Sequence, residues 1–216
     1  EDGLRIAYIS DMHLPHHLAY YDDNEEKMIE DIVEKLFCSL ENLNERKFNK
    51  IYAVIFGGDI SETPETTIKF LKRFRMEVEI PIFFILGNHD YIEFPNVYSC
   101  VNFYKDRLQE MQITLLHNEY VVCNHLEEQF IIFGGTGFAK YDEVWNANRV
   151  VCCKNFTRED EIKETTLFET AYKSALDNAK EQKKCFLCLS HYPVSACLNN
   201  AFEREAILSD GELKSA

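Results

Sequence analysis

No apolar run in this 216-residue chain approaches the roughly 18 residues that a membrane-spanning helix requires, so no helical span is expected. Glu1-Asp2-Gly3 runs straight into an apolar segment without the pattern of a signal peptide, which places the chain in the cytoplasm as a first expectation. An initiator Met is lacking too, and the chain starts at the edge of its first strand, so an excerpt of a longer product is expected. Basic residues are scarce: 23 Lys plus Arg stand against 37 Asp plus Glu. Such a surface repels a phosphate backbone over most of its area, which excludes non-specific binding to long nucleic acids. A small anionic substrate stays open, because divalent cations reverse the local sign of the potential where they bind. The eight cysteines follow no regular framework and fall mostly in apolar stretches such as Cys185-Phe186-Leu187-Cys188, as reduced core thiols do.

What is present is an alternation of short apolar runs and helical patterns, in a length that suits one domain, 1–216. Leu4 to Ser10 reads as a buried strand that feeds a polar loop opening with Asp11-Met12-His13. Apolar residues then recur at Met28, Ile29, Ile32, Val33, Leu36, Phe37, Leu40 and Leu43, predicting a helix from Glu25 to about Arg46 with Asn24 as its cap. Ile51 to Phe56 ends in Gly57-Gly58-Asp59, and Thr63-Pro64 opens the next helix. Pro81 to Leu86 ends in Gly87-Asn88-His89-Asp90, followed by a helix from about Val97 to Met111. Three runs, Ile113 to Leu116, Tyr120 to Cys123 and Gln129 to Phe133, are expected to form a second, more antiparallel sheet. A long helix over Thr157 to Gln182 leads to the strand Cys185 to Ser190, which His191-Tyr192-Pro193 closes; the tail after it has no clear pattern.

Sheets built from strand-helix-strand units bind ligands beyond the carboxyl ends of their strands, where loops converge on a rigid support. Asp11 and His13, Asp59, Asn88, His89 and Asp90, and His191 all stand at such ends, on four separate strands. Carboxylate, imidazole and amide donors without thiolate suit zinc, manganese or iron, and a pair of such ions can clamp a phosphoryl group and activate water. A turn needs at most two polar or small residues where Gly87-Asn88-His89-Asp90 supplies four.

In this order, D-x-H, G-D, G-N-H-D and a later His resemble the calcineurin-like metallophosphoesterases, over a span from Asp11 to His191. That resemblance implies an α/β sandwich of two mixed β-sheets flanked by helices, four layers in the order αββα, lacking its last strands. It implies two divalent metal ions, Asp11 and His13 holding the first, Asn88 and His191 the second, and Asp59 bridging them. His89 resembles the family's catalytic histidine, with Asp90 holding its ring, and a hydroxide bridging the metals would attack a phosphate mono- or diester. The family pattern normally closes with G-H-x-H, and no histidine follows His191 here. From this a C-terminally incomplete domain with weaker metal binding is expected.

Other readings accompany the resemblance. A non-catalytic scaffold that binds protein partners, or an inactive fragment, would share the fold; the retained His89 opposes the scaffold. His16 and His17 are expected in a mobile, solvated loop, His117 and His125 in hairpin turns, and the C-x-x-C in strand packing. Phe138, Tyr141 and Trp145 are candidates for shaping a substrate pocket, and a small nucleotide or phosphorylated metabolite leads among substrates.

Overall fold

In the computed structural model, which describes residues 3–45, 50–137 and 153–192 and two short strands near the C-terminus, each apolar run becomes a strand and each amphipathic stretch a helix. The order is β1 (Ile6–Ile9), a 3-10 segment (Leu14–Tyr21), α1 (Glu25–Glu45), β2 (Ala53–Phe56), α2 (Pro64–Glu77), β3 (Ile82–Phe84), α3 (Val97–Glu110) and β4 (Ile113–Leu115). There follow β5 (Glu119–His125), β6 (Glu128–Gly135), α4 (Arg158–Glu181), β7 (Cys185–Ser190) and the two-residue pair β8 (Ala206–Ile207) and β9 (Leu213–Lys214). Asn24 caps α1 as expected, its Oδ1 accepting from the Lys27 N–H at 3.0 Å. Thr63 precedes α2 without a side-chain cap bond, and Pro64 begins the helix. The candidate pocket residues Phe138, Tyr141 and Trp145 lie outside the described residues.

The first sheet has the order β1-β2-β3-β4, and all its pairings are parallel. This corrects two expectations, a mixed first sheet and the placement of Ile113 to Leu116 in the second. The reason is connectivity: α3 separates β3 from β4, and a strand returning after a helical crossover pairs in parallel with its predecessor. The second sheet, β5-β6-β7, is mixed, antiparallel between β5 and β6 and parallel between β6 and β7.

Strand periodicity sorts the core into layers. Val54, Phe56, Ile82 and Phe84 face α1, α2 and α3, where Phe56 meets the rings of Phe70 and Phe74 at 5.7 and 5.1 Å. Ala53, Ile55, Phe83 and Ile85 face the other way and, with Leu116 just past β4, pack on Cys123, Phe130, Ile132 and Leu189 of the second sheet. Phe133 turns outward onto Phe168, Tyr172, Ala175 and Leu176 of α4. Helices, sheet, sheet and helix therefore stack in four layers, and the two inner sheets hold their loops at one shared edge. No helix of the described residues is long and apolar enough to cross a membrane.

Candidate metal centre

The loops after β1, β2 and β3 continue the ladder of the first sheet past its strands. Gly57 N–H donates to Ile9 O at 2.7 Å, Asp11 N–H to Gly58 O at 3.1 Å, His13 N–H to Asp59 O at 3.0 Å and Leu14 N–H to Ile60 O at 2.9 Å. Asp11, His13 and Asp59 adopt left-handed backbones, with φ of 55°, 43° and 54°. Non-glycine residues reach that region at a cost and hold it only where the surroundings determine them, as this backbone ladder does. Between the loops, Gly58 and Gly87 leave room for a close crossing; a Cβ at Gly87 would lie 2.1 Å from Asp59 Oδ1.

Asp59, 2% exposed, sits at the middle of the site. Its Oδ1 accepts from the His89 N–H at 2.9 Å, and its Oδ2 lies 3.3 Å from His191 Nε2. The same Nε2 is 3.1 Å from Asn88 Oδ1, and His191 Nδ1–H donates to Gly57 O at 2.8 Å. That backbone bond engages Nδ1–H, so Nε2 is the ring atom that faces Asp59 and Asn88. His13 is set in the same manner, because its Nδ1–H donates to Glu62 Oε1 at 2.8 Å and leaves Nε2 for another partner.

Two groups of donor atoms, each within 4.8 Å of one another, result: His13 with Asp59 and His89, and Asp11 with Asp59 and His191. Asp59 is the member common to both. All seven residues expected at the site are thus gathered at one edge, though their grouping sets Asp11 beside His191 and His13 beside His89.

Charges on the protein alone respond to this crowding. Burial pushes the Asp59 carboxyl up, but the hydrogen bond and charge of His191 outweigh it and hold the group below its ordinary value. Burial pulls His191 down, and its bond to Asp59 reverses that to about 9. A proton on His191 Nε2 thereby balances Asp59 and Asn88 at a place where a cation would do the same. Converging carboxylate, imidazole and amide donors, with ring orientations held from behind, fit divalent ions.

Asp90 departs from its expected part. Its Oδ2 accepts from Asp59 N–H at 3.0 Å and Gly87 N–H at 2.8 Å, while Oδ1 accepts from Tyr104 O–H at 3.3 Å. The expected bond to the His89 ring is absent, because every Asp90 oxygen is engaged with the two glycine-rich loops and α3. Burial, helped by the Asp59 charge, raises the Asp90 carboxyl to about 7 against those N–H donors. The carboxylate nearest the His89 ring is instead Glu62, whose Oε1 is 3.8 Å from a buried Nδ1 that has no hydrogen-bond partner among the described residues. Sequence reasoning missed Glu62; its position three residues after Asp59, in the same loop, was the available signal.

The remaining expectations resolve simply. Cys185 and Cys188 are both free and, three residues apart on β7, point to opposite faces, which rules out one shared ion. His117 lies 3.7 Å from Glu164, and the His125 ring packs on Tyr52. His16 lies in a 3-10 segment, with its ring stacked on His13 at 5.4 Å.

The sequence profile of calcineurin-like phosphoesterases matches residues 4–213. The chain belongs to that family. This calcineurin-like phosphoesterase is similar in structure to a phosphopantetheinyl hydrolase from Mycobacterium tuberculosis, with a TM-score of 0.51 and 12% identity over 89% of this chain and 69% of that one. Identity that low shows a common fold alone. A protein of unknown function from Aquifex aeolicus aligns over 87% of this chain and 90% of its own, at 14% identity and a TM-score of 0.35. No curated protein matches the sequence.

Proposed function

We propose that this calcineurin-like phosphoesterase hydrolyses small phosphate mono- or diesters with the help of two divalent ions that share Asp59. The observation that carries the reading is the pair of donor groups overlapping at one buried carboxylate. The assignment that the family resemblance implies, Asp11 and His13 on one ion, Asn88 and His191 on the other and Asp59 on both, divides these residues differently from the donor groups, which set His13 with His89 and Asp11 with His191 around Asp59. Manganese, iron or zinc bound there would supply Lewis acidity to the phosphoryl oxygens and bring the pKa of a water near neutrality.

The chain's own residues do the rest. His89, half-buried beside Asp59, holds the proton that the departing alcohol oxygen needs. Glu62 orients His13 through its 2.8 Å bond and stands beside the His89 ring. Asp90 acts as a positioning residue, tying the loop of Asp59 to that of Gly87. The acidic surface, formal charge −14, disfavours long polyanions and leaves a small ester as the substrate. The cytoplasm suits the free thiols of the described cysteines.

Turnover of paired chromogenic phosphomonoester and phosphodiester substrates with added manganese tests the reading. His89→Ala is expected to abolish hydrolysis of whichever ester is preferred, and Glu62→Gln to slow it about 10- to 100-fold, as removal of an outer partner of a metal-bound histidine does. Hydrolysis of neither ester by metal-loaded protein, or full activity in His89→Ala, would overturn it.

A further inference from the structure

His16 stands apart from the machinery described so far, yet the fold holds it against that machinery. Its segment, Leu14–Tyr21, is pinned from below: Leu14 is fully buried and donates to Ile60 O at 2.9 Å, Leu18 packs on the core, and Tyr21 O–H donates to Asp31. The His16 N–H closes the first turn on His13 O at 2.9 Å. The ring lies nearly parallel to that of His13, at 14° and 5.4 Å, with Nε2 4.0 Å from Glu62 Oε1. Its side chain is still 72% exposed. His13 stacks along one side of the ring, then, and most of the ring is open at the rim of the site.

An exposed aromatic ring held in one orientation serves no packing purpose, and its outer face is a surface for stacking. Glu62 places it beside the reacting groups, since the same oxygen lies 2.8 Å from His13 Nδ1 and 3.8 Å from His89 Nδ1. The His13 ring lies between those of His89 and His16, 4.9 Å from the former and 5.4 Å from the latter, so the outer part of an ester whose phosphoryl group sits at His89 is within reach of His16. Among the described residues, no lysine or arginine pairs with Asp11, Asp59, Glu62 or Asp90.

We propose that His16 is a specificity-determining residue whose open ring face stacks on a planar group in the alcohol portion of the ester, so that aryl and heteroaryl phosphates, nucleotides among them, are favoured over alkyl phosphates. The inference rests on the phosphoesterase reading above. It makes no use of a charge on His16; the ring face is what matters.

The experiment compares the manganese-loaded wild type with His16→Ala, His16→Phe and His17→Ala. Equilibrium binding of phenylphosphonate and methylphosphonate is measured first, then turnover of an aryl and an alkyl phosphate. The wild type is expected to prefer phenylphosphonate; His16→Ala removes that preference with a loss of about three- to tenfold in affinity, and His16→Phe and His17→Ala keep it. In turnover, His16→Ala raises KM for the aryl ester and leaves kcat and the alkyl ester unchanged. A preference that survives in His16→Ala overturns the proposal, as does an equal fall in kcat for both esters, which would assign the ring to supporting His13. Protein that discriminates through His16 without hydrolysing either ester overturns the hydrolase reading and keeps this one. Hydrolysis without any such discrimination does the reverse, and failure to bind either phosphonate overturns both.

Discussion

At the residue scale the site depends on a close approach that only glycine allows. Asp59 Oδ1 stands where a Gly87 Cβ would be, at 2.1 Å, with the Asp59 backbone N at 2.8 Å. Backbone atoms cannot swing away as a flexible side chain does, so Gly87→Ala must displace Asp59 or its loop. Its expected effect is a loss of at least about tenfold in manganese affinity by calorimetric titration, in the range that disturbed ligand support produces, while far-UV circular dichroism stays unchanged. Affinity equal to wild type would show that the loop yields freely and that Asp59 is not held from behind. Asp11, His13, Asp59, Asn88, His89, Asp90 and His191 stand out in the sequence because they lie just past apolar strands, and the structure brings those positions together at one edge. Their pairings were not legible in the sequence. Whether a carboxylate faces a ring or a backbone N–H depends on the angle at which two loops cross, and neighbouring Asp90 and His89 turned out to serve different loops, with Glu62 beside both His13 and His89.

At the scale of elements, α4 is the outer layer over the second sheet, and its start is fixed by a reciprocal cap. Asp160 N–H donates to Thr157 Oγ1 at 3.2 Å, and Thr157 N–H to Asp160 Oδ2 at 3.0 Å. Thr157→Ala is expected to lower stability by about 1 kcal/mol, read as a lower urea midpoint at unchanged slope. An unchanged midpoint would place the cap in a part of the helix that opens before global unfolding. Helices and strands were readable here because their periods of 3.6 and 2 are written in the apolar positions of α1 and of β2 and β3. Sheet membership was less so. Ile113–Leu115 lies close in sequence to the antiparallel β5 and β6, yet it completes the first sheet, since the crossover through α3 decides its partner.

At the scale of the whole molecule the excess of acid has a cost at one buried point. Glu161, in the first turn of α4, is 5% exposed, and its Oε1 has no hydrogen-bond partner among the described residues. Burial raises its carboxyl to about 6, against the opposing charge of Arg158. A raised folded-state pKa means that the neutral form is favoured: the stability it confers is complete below the ordinary value of 4.5 and lost as pH rises through about 6. Glu161→Gln should therefore be more stable than wild type at pH 8 by about 1 kcal/mol, and the difference should vanish near pH 4; a difference that is constant with pH would assign it to packing. The four-layer stack itself was expected from the resemblance, and three separate apolar clusters bear it out.

Those layers bring strand ends from both sheets to one carboxylate, that of Asp59. Metal content per chain, measured after equilibration with manganese and removal of free ions, tests that convergence most directly. Two ions bound by the wild type and at most one, weakly held, by Asp59→Asn is the predicted result. Two ions retained by Asp59→Asn with undiminished affinity, or none bound by the wild type, would contradict a centre built around Asp59.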